Sequence, residues 1–165
     1  MSSENYAPVE PERLPVADLA PKLYQAYLHL ENSVRRSGID PALYELVKTR
    51  ASQINGCAFC IDMHTKDARA GGETEQRLYL LSAWREAPVY TERERAALAL
   101  TEAVTLVADT HVPDDVWREA AKVFSDEELA ALLMAIVTIN GWNRIAISSR
   151  TPAGSYQAAD RSEQA

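Results

Sequence analysis

The sequence contains only two cysteines among its 165 residues, and both lie in the stretch Asn55-Gly56-Cys57-Ala58-Phe59-Cys60. Two cysteines cannot form the multi-bridge framework that stabilises small secreted domains. Their spacing leaves three interpretations open, which are a reversible redox pair, two ligands of a metal ion, or two small residues of the core. The choice among them decides the function.

The sequence also lacks the features of membrane, secreted and nucleic-acid-binding proteins. The apolar run that ends at Val137 is far shorter than the ~20 residues that span a bilayer. The first six residues have neither the basic nor the apolar segment of a signal peptide. A net charge of -7, spread along the chain, repels phosphate backbones and anionic lipid. We therefore expect a cytoplasmic protein with no nucleic-acid or membrane partner.

The sequence offers no candidate β-strand, because no window alternates apolar and polar residues between hairpin turns. Helical periodicity and capping residues instead predict an all-α fold of about six to eight helices in one domain, residues 1–165. A proline-containing extended arm is expected over residues 1–17 and a polar tail over 151–165. The predicted helices span 18–36, 41–55, about 57 to the glycine pair 71–72, 74–84, a segment from 91, 113–123, and 125–147.

Three side chains around the thiol stretch are predicted to share one side of a helix. If the helix begins at Cys57, then Cys57, Cys60 and His64 lie within about 60° of one another around its axis. Residues at this i, i+3 spacing can reach the Cα separation of ~4.4–6.8 Å that a disulfide requires. His64 can accept the proton of Cys60, and a thiolate attacks peroxide or disulfide sulfur. The positive end of the helix favours a thiolate at Cys57 instead, so spacing alone leaves the order of the two thiols open.

A metal site is the main alternative to redox chemistry. Cys57, Cys60 and His64, with Glu45 or His111 as a fourth ligand, would make a zinc set. Structural zinc sites usually add a second close pair of ligands on another segment, and this sequence has none. Chance placement of two cysteines in the core is the third interpretation.

Glu45 is placed on the surface by periodicity. In the predicted second helix it lies opposite the apolar stripe that includes Leu46, Val47 and Ile54. The expectation from this pattern alone is a solvated carboxylate. Glu45 can act with the thiols only if its face packs on the thiol helix or on another subunit.

The combination of Glu45, Cys57, Cys60, His64 and the glycine pair 71–72 in an all-α chain is more specific than the cysteine pair alone. On these residues the sequence resembles the AhpD-like alkylhydroperoxidases of the carboxymuconolactone decarboxylase family. The resemblance runs from about residue 43 to 105, with a weaker match over 139–147. It implies a helical subunit that assembles as a homo-oligomer, in trimers, hexamers or larger rings, and reduces hydroperoxides.

The resemblance also implies roles for the site residues. Cys60 is the attacking thiol and Cys57 the resolving one, while Glu45 and His64 move the proton. No flavin, haem or nicotinamide cofactor is implied, and the reductant is expected to be a protein dithiol, either a lipoyl domain or a thioredoxin-like module. One position departs from the pattern, because the best-studied members have a histidine directly before the second cysteine and this chain has Phe59. A proton relay through two histidines is therefore incomplete here.

Overall fold

The computed structural model describes residues 10–159, and this part of the chain is all-α without a strand. Two of its helices, α1 and α7, have only four residues each. The seven longer ones agree with the predicted six to eight. The helices are α1 (Val16–Leu19), α2 (Pro21–Arg35), α3 (Pro41–Asn55), α4 (Ala58–Ala70), α5 (Glu75–Leu80), α6 (Glu92–Thr105), α7 (Val107–Thr110), α8 (Asp114–Val123) and α9 (Asp126–Ser149).

Polar caps set the start of the main helices, as the sequence predicts. The Asp40 side chain accepts a hydrogen bond from the Leu43 amide at 2.9 Å, with Pro41 in the first helical position of α3. Complete capping boxes open α6 at Thr91 and α9 at Ser125. Each cap satisfies amides that the helix leaves free and contributes about 1 kcal/mol.

The prediction of a single helix over residues 18–36 is wrong in one respect, because this segment belongs to two helices. Pro21 has no amide hydrogen and begins α2, which separates it from the single turn of α1. Among the apolar residues of α2, Val34 is 5% exposed but Leu23 is 75% exposed. The α2 helix therefore leaves part of its apolar face exposed.

The predicted N-terminal arm is described only from residue 10, since residues 1–9 lie outside the described part. Residues 10–15 precede the first helix. The Arg13 amide donates to the Ser149 carbonyl at 2.8 Å, and Arg150 pairs with Glu10 at 3.2 Å. This portion of the arm lies against the end of α9 in the same chain.

Helix α3 lies at the centre of the fold and packs against α4, α6 and α9. Its Leu46, Val47 and Ala51 have no exposed surface, and neither do Ile136 and Ile139 of α9. Polar residues of α3 are enclosed as well, because neighbouring helices cover nearly all of its sides. This enclosure brings charged groups of α3 into the interior.

By length and composition alone, helix α9 is long and apolar enough to cross a membrane. Of its most apolar 18-residue segment, 44% is buried inside the protein. It packs on α2, α3 and α6 as part of the core. Its outward side carries exposed apolar residues, including Met134 and Val137. Core helices of soluble proteins can have the same length and composition.

The polar tail turns back over α4. Residues 151–159 contain no helix, and residues 160–165 lie outside the described part. Lys66 of α4 donates to the Tyr156 carbonyl at 2.8 Å, and the Gly154 amide donates to Asp62 at 3.1 Å. The tail is thereby held against the helix that carries the thiols.

Candidate active site

The two cysteines lie at the junction of α3 and α4 and are joined as a disulfide. Gly56 ends α3 in the left-handed conformation with φ 71°, which glycine adopts without steric cost. Cys57 is the N-cap of α4, and its sulfur accepts a hydrogen bond from the Cys60 amide at 3.3 Å. The helix thus begins one residue later than predicted. The two Cα atoms are 5.3 Å apart, within the range expected from the spacing.

A buried amide network fixes this junction against α9. Asn55 donates to the side-chain oxygens of Asn140 at 2.9 Å and Asn143 at 2.8 Å. Asn143 in turn donates to the Ser52 hydroxyl at 3.0 Å. Both α9 residues belong to the segment 139–147 that carries the weaker resemblance. This segment of α9 holds the turn that precedes Cys57.

Glu45 and His64 form a buried pair beside the thiol helix. His64 Nδ1 and Glu45 Oε2 are 2.8 Å apart, and each residue is 2% exposed. Arg35 of α2 donates to the other oxygen of Glu45 at 3.2 Å. Burial alone would raise the pKa of Glu45, but the hydrogen bond and charge of His64, with the charges of Arg35 and Lys48, hold that pKa below its usual range.

The surface position that periodicity predicts for Glu45 is therefore wrong. Helix α4 covers the side of α3 that carries Glu45, so its carboxylate faces the thiol helix rather than solvent. The side of α3 that carries Glu45 packs on the thiol helix, which is the arrangement that Glu45 needs in order to act with the thiols. The four residues Glu45, Cys57, Cys60 and His64 thus lie in one region at the contact of α3 and α4.

His64 has unused hydrogen-bonding capacity. Its Nε2 atom is buried and has no partner among the described residues. A ring nitrogen of His64, a carboxylate oxygen of Glu45 and one of Asp67 lie within 4.8 Å of one another. Asp67 follows His64 by almost one turn of α4, which places a second carboxylate beside the pair.

The zinc alternative is not favoured by the arrangement of ligands. Within residues 10–159, the convergent set of metal-binding atoms consists of Glu45, His64 and Asp67, without either sulfur. The two sulfurs are bonded to each other. His111, the other candidate ligand, is an exposed residue after α7.

A cavity of about 250 Å³ opens beside Cys60 and His64. Helices α2, α4 and α9 and the tail contribute its walls. The apolar part of the wall consists of Tyr24, Leu28, Phe59, Met63, Trp142, Ile145 and Ala146. The polar part consists of Glu31, Asn32, Arg35, Asp67, Thr151 and Tyr156. A mostly apolar wall with a few polar groups is the usual composition of a small-molecule site.

A second buried ion pair supports the cavity wall. Lys48 of α3 has no exposed surface and pairs with Glu31 of α2. The Trp142 indole donates to the other oxygen of Glu31 at 3.1 Å. Burial lowers the pKa of Lys48 to about 8, although Glu31 opposes this shift. The pair links α2, α3 and α9 behind the cavity.

Sequence reasoning missed several residues of this region. Arg35 and Tyr156 carry no spacing signal, since they reach the site from separate segments. Asp67 follows His64 by three residues on α4, so the helical spacing that groups the thiols with His64 could have found it. Phe59 and Trp142 also line the cavity. Their spacing among core residues gives no reason to assign them to a site from the sequence.

Known proteins resemble this chain in sequence and in fold. The profile of the carboxymuconolactone decarboxylase family matches residues 21–103. The uncharacterized protein YdfG of Bacillus subtilis is 42% identical over 144 residues, which cover 87% of this chain and 98% of that protein.

Two solved structures extend the comparison. A protein of unknown function from Agrobacterium tumefaciens, provisionally described as the antioxidant defence protein AhpD, superposes with a TM-score of 0.86 and 46% identity, over 88% of this chain and 100% of that one. An uncharacterized peroxidase-related protein from Ralstonia eutropha with the alkylhydroperoxidase AhpD core gives a TM-score of 0.74 at 16% identity, over 85% and 75% of the two chains. At that identity the second structure shows the fold alone. The chain belongs to the carboxymuconolactone decarboxylase family, as an AhpD-like all-α member.

Proposed function

We propose that this protein is a thiol peroxidase that reduces hydroperoxides through the Cys57–Cys60 pair. The observation that carries the proposal is a disulfide beside a cavity that also contains His64, with His64 held by the buried Glu45. The Agrobacterium tumefaciens structure, which is 46% identical to this chain, is described as an antioxidant defence protein, and this description supports the same class of reaction.

The proposed cycle uses the two sulfurs in sequence. The Cys60 thiolate attacks the terminal oxygen of the hydroperoxide, the O–O bond breaks, and the alcohol leaves with one proton. Cys60 is now a sulfenic acid, and the Cys57 thiol condenses with it to give the disulfide and water. The two electrons of the next turnover come from an external dithiol.

The surroundings support Cys60 as the attacking residue. Cys60 lines the cavity, whereas Cys57, the N-cap of α4, does not. Cys60 and His64 lie about one turn apart on α4, with the imidazole on the same stripe of the helix. The Glu45 carboxylate, which is hydrogen-bonded to Nδ1, offsets the positive charge that the imidazole gains when it accepts the thiol proton.

The reductant is proposed to be a protein dithiol, either a lipoyl domain or a thioredoxin-like module. The support is the chemistry of the disulfide, which requires two electrons from another thiol pair, together with the family resemblance. Assembly as a trimer or hexamer and a cytoplasmic location remain predictions. Light scattering of the purified protein measures the first, and fractionation of the source cells the second.

Cysteine variants test the proposal and the order of the two thiols. The reduced Cys60→Ser variant should consume no organic hydroperoxide. The Cys57→Ser variant should react once and hold a sulfenic acid that dimedone traps, because its resolving thiol is missing. Unchanged turnover in Cys60→Ser would refute the assignment, and a trapped adduct at Cys57 in that variant would reverse the order of the thiols.

A redox-sensing or zinc-binding module is the alternative function. In a sensor, the disulfide changes the assembly rather than turning over oxidant. The subunit mass of oxidised and reduced samples measures such a change. Stoichiometric zinc that is lost together with the fold on chelation would identify the structural module.

A further inference from the structure

The disulfide is enclosed within the subunit, because Cys57 and Cys60 are each only 1% exposed. Of the two residues, Cys60 lines the cavity. A cavity of about 250 Å³ has room for a small hydroperoxide, but the thiol-bearing surface of a protein is far larger than this volume. A protein dithiol therefore reaches the Cys60 sulfur only if one wall of the cavity moves.

The tail after α9 is the wall that can move most readily. The other walls belong to α2, α4 and α9, which pack on one another or on α3. The tail contributes Thr151 and Tyr156. In the described part of the tail, residues 152–159 contain no helix and make no backbone–backbone hydrogen bond. Such a segment opens at a lower free energy than a packed helix does.

Three hydrogen bonds attach this segment to α4. The Gly154 amide donates to Asp62 at 3.1 Å, and Lys66 donates to the Tyr156 carbonyl at 2.8 Å. The third bond runs from the Tyr156 hydroxyl to Asp67 at 2.7 Å. On the α4 side all three partners are side chains, so the segment can detach while the helix itself stays intact.

We propose that residues 152–159 form a gate over the disulfide, which is closed while a hydroperoxide reacts and opens to admit the protein dithiol that reduces the Cys57–Cys60 bond. Thr151 stays with α9, because its amide donates to the Ala146 carbonyl at 2.9 Å, and marks the fixed end of the gate. The inference rests on the proposed peroxidase function and names the wall through which its reductant enters.

The electrons move by two thiol–disulfide exchanges once the gate is open. A thiolate of the reductant attacks the Cys60 sulfur, a mixed disulfide forms, and the Cys57–Cys60 bond breaks. Cys57 leaves as a thiolate at the start of α4, where its sulfur accepts a hydrogen bond from the Cys60 amide at 3.3 Å and the helix dipole favours negative charge. The second thiolate of the reductant then attacks the mixed disulfide and releases Cys60. The reductant departs as a disulfide, and its two protons remain on Cys57 and Cys60.

The test compares a large and a small reductant on the same disulfide. The double variant Asp62→Ala with Lys66→Met removes two attachments of the gate and changes no side chain that lines the cavity. Its reduction by thioredoxin should be about 10-fold faster than that of the wild type, because the open gate is more populated. The rate with dithiothreitol, which is small enough for the closed cavity, should change by less than about twofold.

A second variant loosens the gate without a change in α4. Gly154 has a φ of 100°, a conformation in which a side chain is strained, so thioredoxin should reduce Gly154→Ala about 3-fold faster than the wild type. The matched control is Glu119→Ala with Lys122→Met, which removes an exposed ion pair of α8. Both reductants should act on this control as they do on the wild type.

Unchanged or slower reduction by thioredoxin in both gate variants, including no reduction at all, would overturn the proposal. Equal gains with the two reductants would indicate a general loosening of the site and would also overturn it. Each of these reactions starts from the disulfide and needs no hydroperoxide. Failure of the reduced wild type to consume hydroperoxide would therefore refute the peroxidase function separately, without altering the measured response of the gate.

Discussion

Two buried ion pairs each contain one residue of α3, but the partner residues lie on different helices. Glu45 binds His64 of the thiol helix, and both are buried. Lys48, three residues later, binds Glu31 of α2 and has no exposed surface. The first pair contains an imidazole, the side chain that exchanges protons most readily near neutral pH, and His64 lines the cavity. The second contains the Lys48 ammonium, which does not line the cavity, although its partner Glu31 does. We infer that the first pair serves chemistry and the second serves architecture.

The cost of burial differs between the pairs as well. Burial lowers the pKa of Lys48 to about 8 despite its partner, so the charged form is disfavoured there. Glu45 has the opposite balance, since its cationic neighbours outweigh burial and its pKa falls. Breaking each pair should therefore have different consequences for rate and for stability.

The largest expected effect is on the rate when Glu45 is neutralised. Glu45→Gln should lower hydroperoxide consumption by about 100- to 10,000-fold, because the imidazole loses the anion that offsets the charge it gains when it accepts the thiol proton. The free energy of unfolding should change much less, since glutamine can still accept a hydrogen bond from His64. Initial rates and urea denaturation of the same sample measure both quantities. A variant with wild-type rate would remove Glu45 from the mechanism.

The next effect is on stability when Lys48 is removed. Lys48→Met should lower the free energy of unfolding by about 3–5 kcal/mol, because the Glu31 carboxylate is left buried without its cation. The double variant Lys48→Met with Glu31→Gln should regain most of this loss, since no buried charge remains unpaired. Equilibrium denaturation measures both variants. Equal destabilisation of the single and double variants would contradict an architectural ion pair.

The two pairs should also respond at opposite ends of the pH scale. The pKa of Glu45 is below its unfolded value of 4.5, so the stability it contributes is present above that pH and is lost as pH falls through the folded value. For Lys48 the folded pKa is about 8 and the unfolded one 10.5, so the unfolded chain binds more protons in that window.

The wild type should therefore gain stability relative to Lys48→Met as pH rises from about 8 to 10.5. It should lose stability relative to Glu45→Gln as pH falls below 4.5. Denaturation curves for the three proteins at each pH measure these differences. Slopes of the opposite sign would show that the folded protein does not lower the pKa values of Glu45 and Lys48.

The smallest expected effect is on stability and concerns the close packing of α2 against α9, which places Glu31 beside Trp142. A Cβ atom added at Gly141 would lie 1.9 Å from the Tyr27 hydroxyl oxygen. Tyr27 packs edge-on against Trp142 with ring centroids 4.7 Å apart, so its displacement would disturb the same wall.

Gly141→Ala should therefore lower the free energy of unfolding by about 1–2 kcal/mol. Adding Tyr27→Phe, which removes the clashing oxygen, should restore part of it. Denaturation of the two variants provides the measurement, and a more stable Gly141→Ala protein would show that α2 has room to move.

The local parts of this picture were accessible from the sequence. The capping residues at Asp40, Thr91 and Ser125 act within one turn, so the helix starts followed from the chain alone. The nearness of Cys57, Cys60 and His64 likewise depends only on helical spacing.

The rest depends on contacts between distant segments. Periodicity placed Glu45 in solvent because it treats a helix as having one buried face, whereas α3 is covered on nearly every side. Lys48 and Glu31 are 17 residues apart, and Tyr156 and Asp67 are 89 residues apart. No local pattern indicates such pairs, so their partners emerge only from the packing of the helices and the tail.

The most direct test of the central claim is a thiol titration of the fully reduced protein before and after one equivalent of an organic hydroperoxide. The account predicts the loss of two thiols per chain, formation of one equivalent of alcohol, and recovery of both thiols with a dithiol reductant. A reduced protein that keeps both thiols while the hydroperoxide remains intact would contradict it.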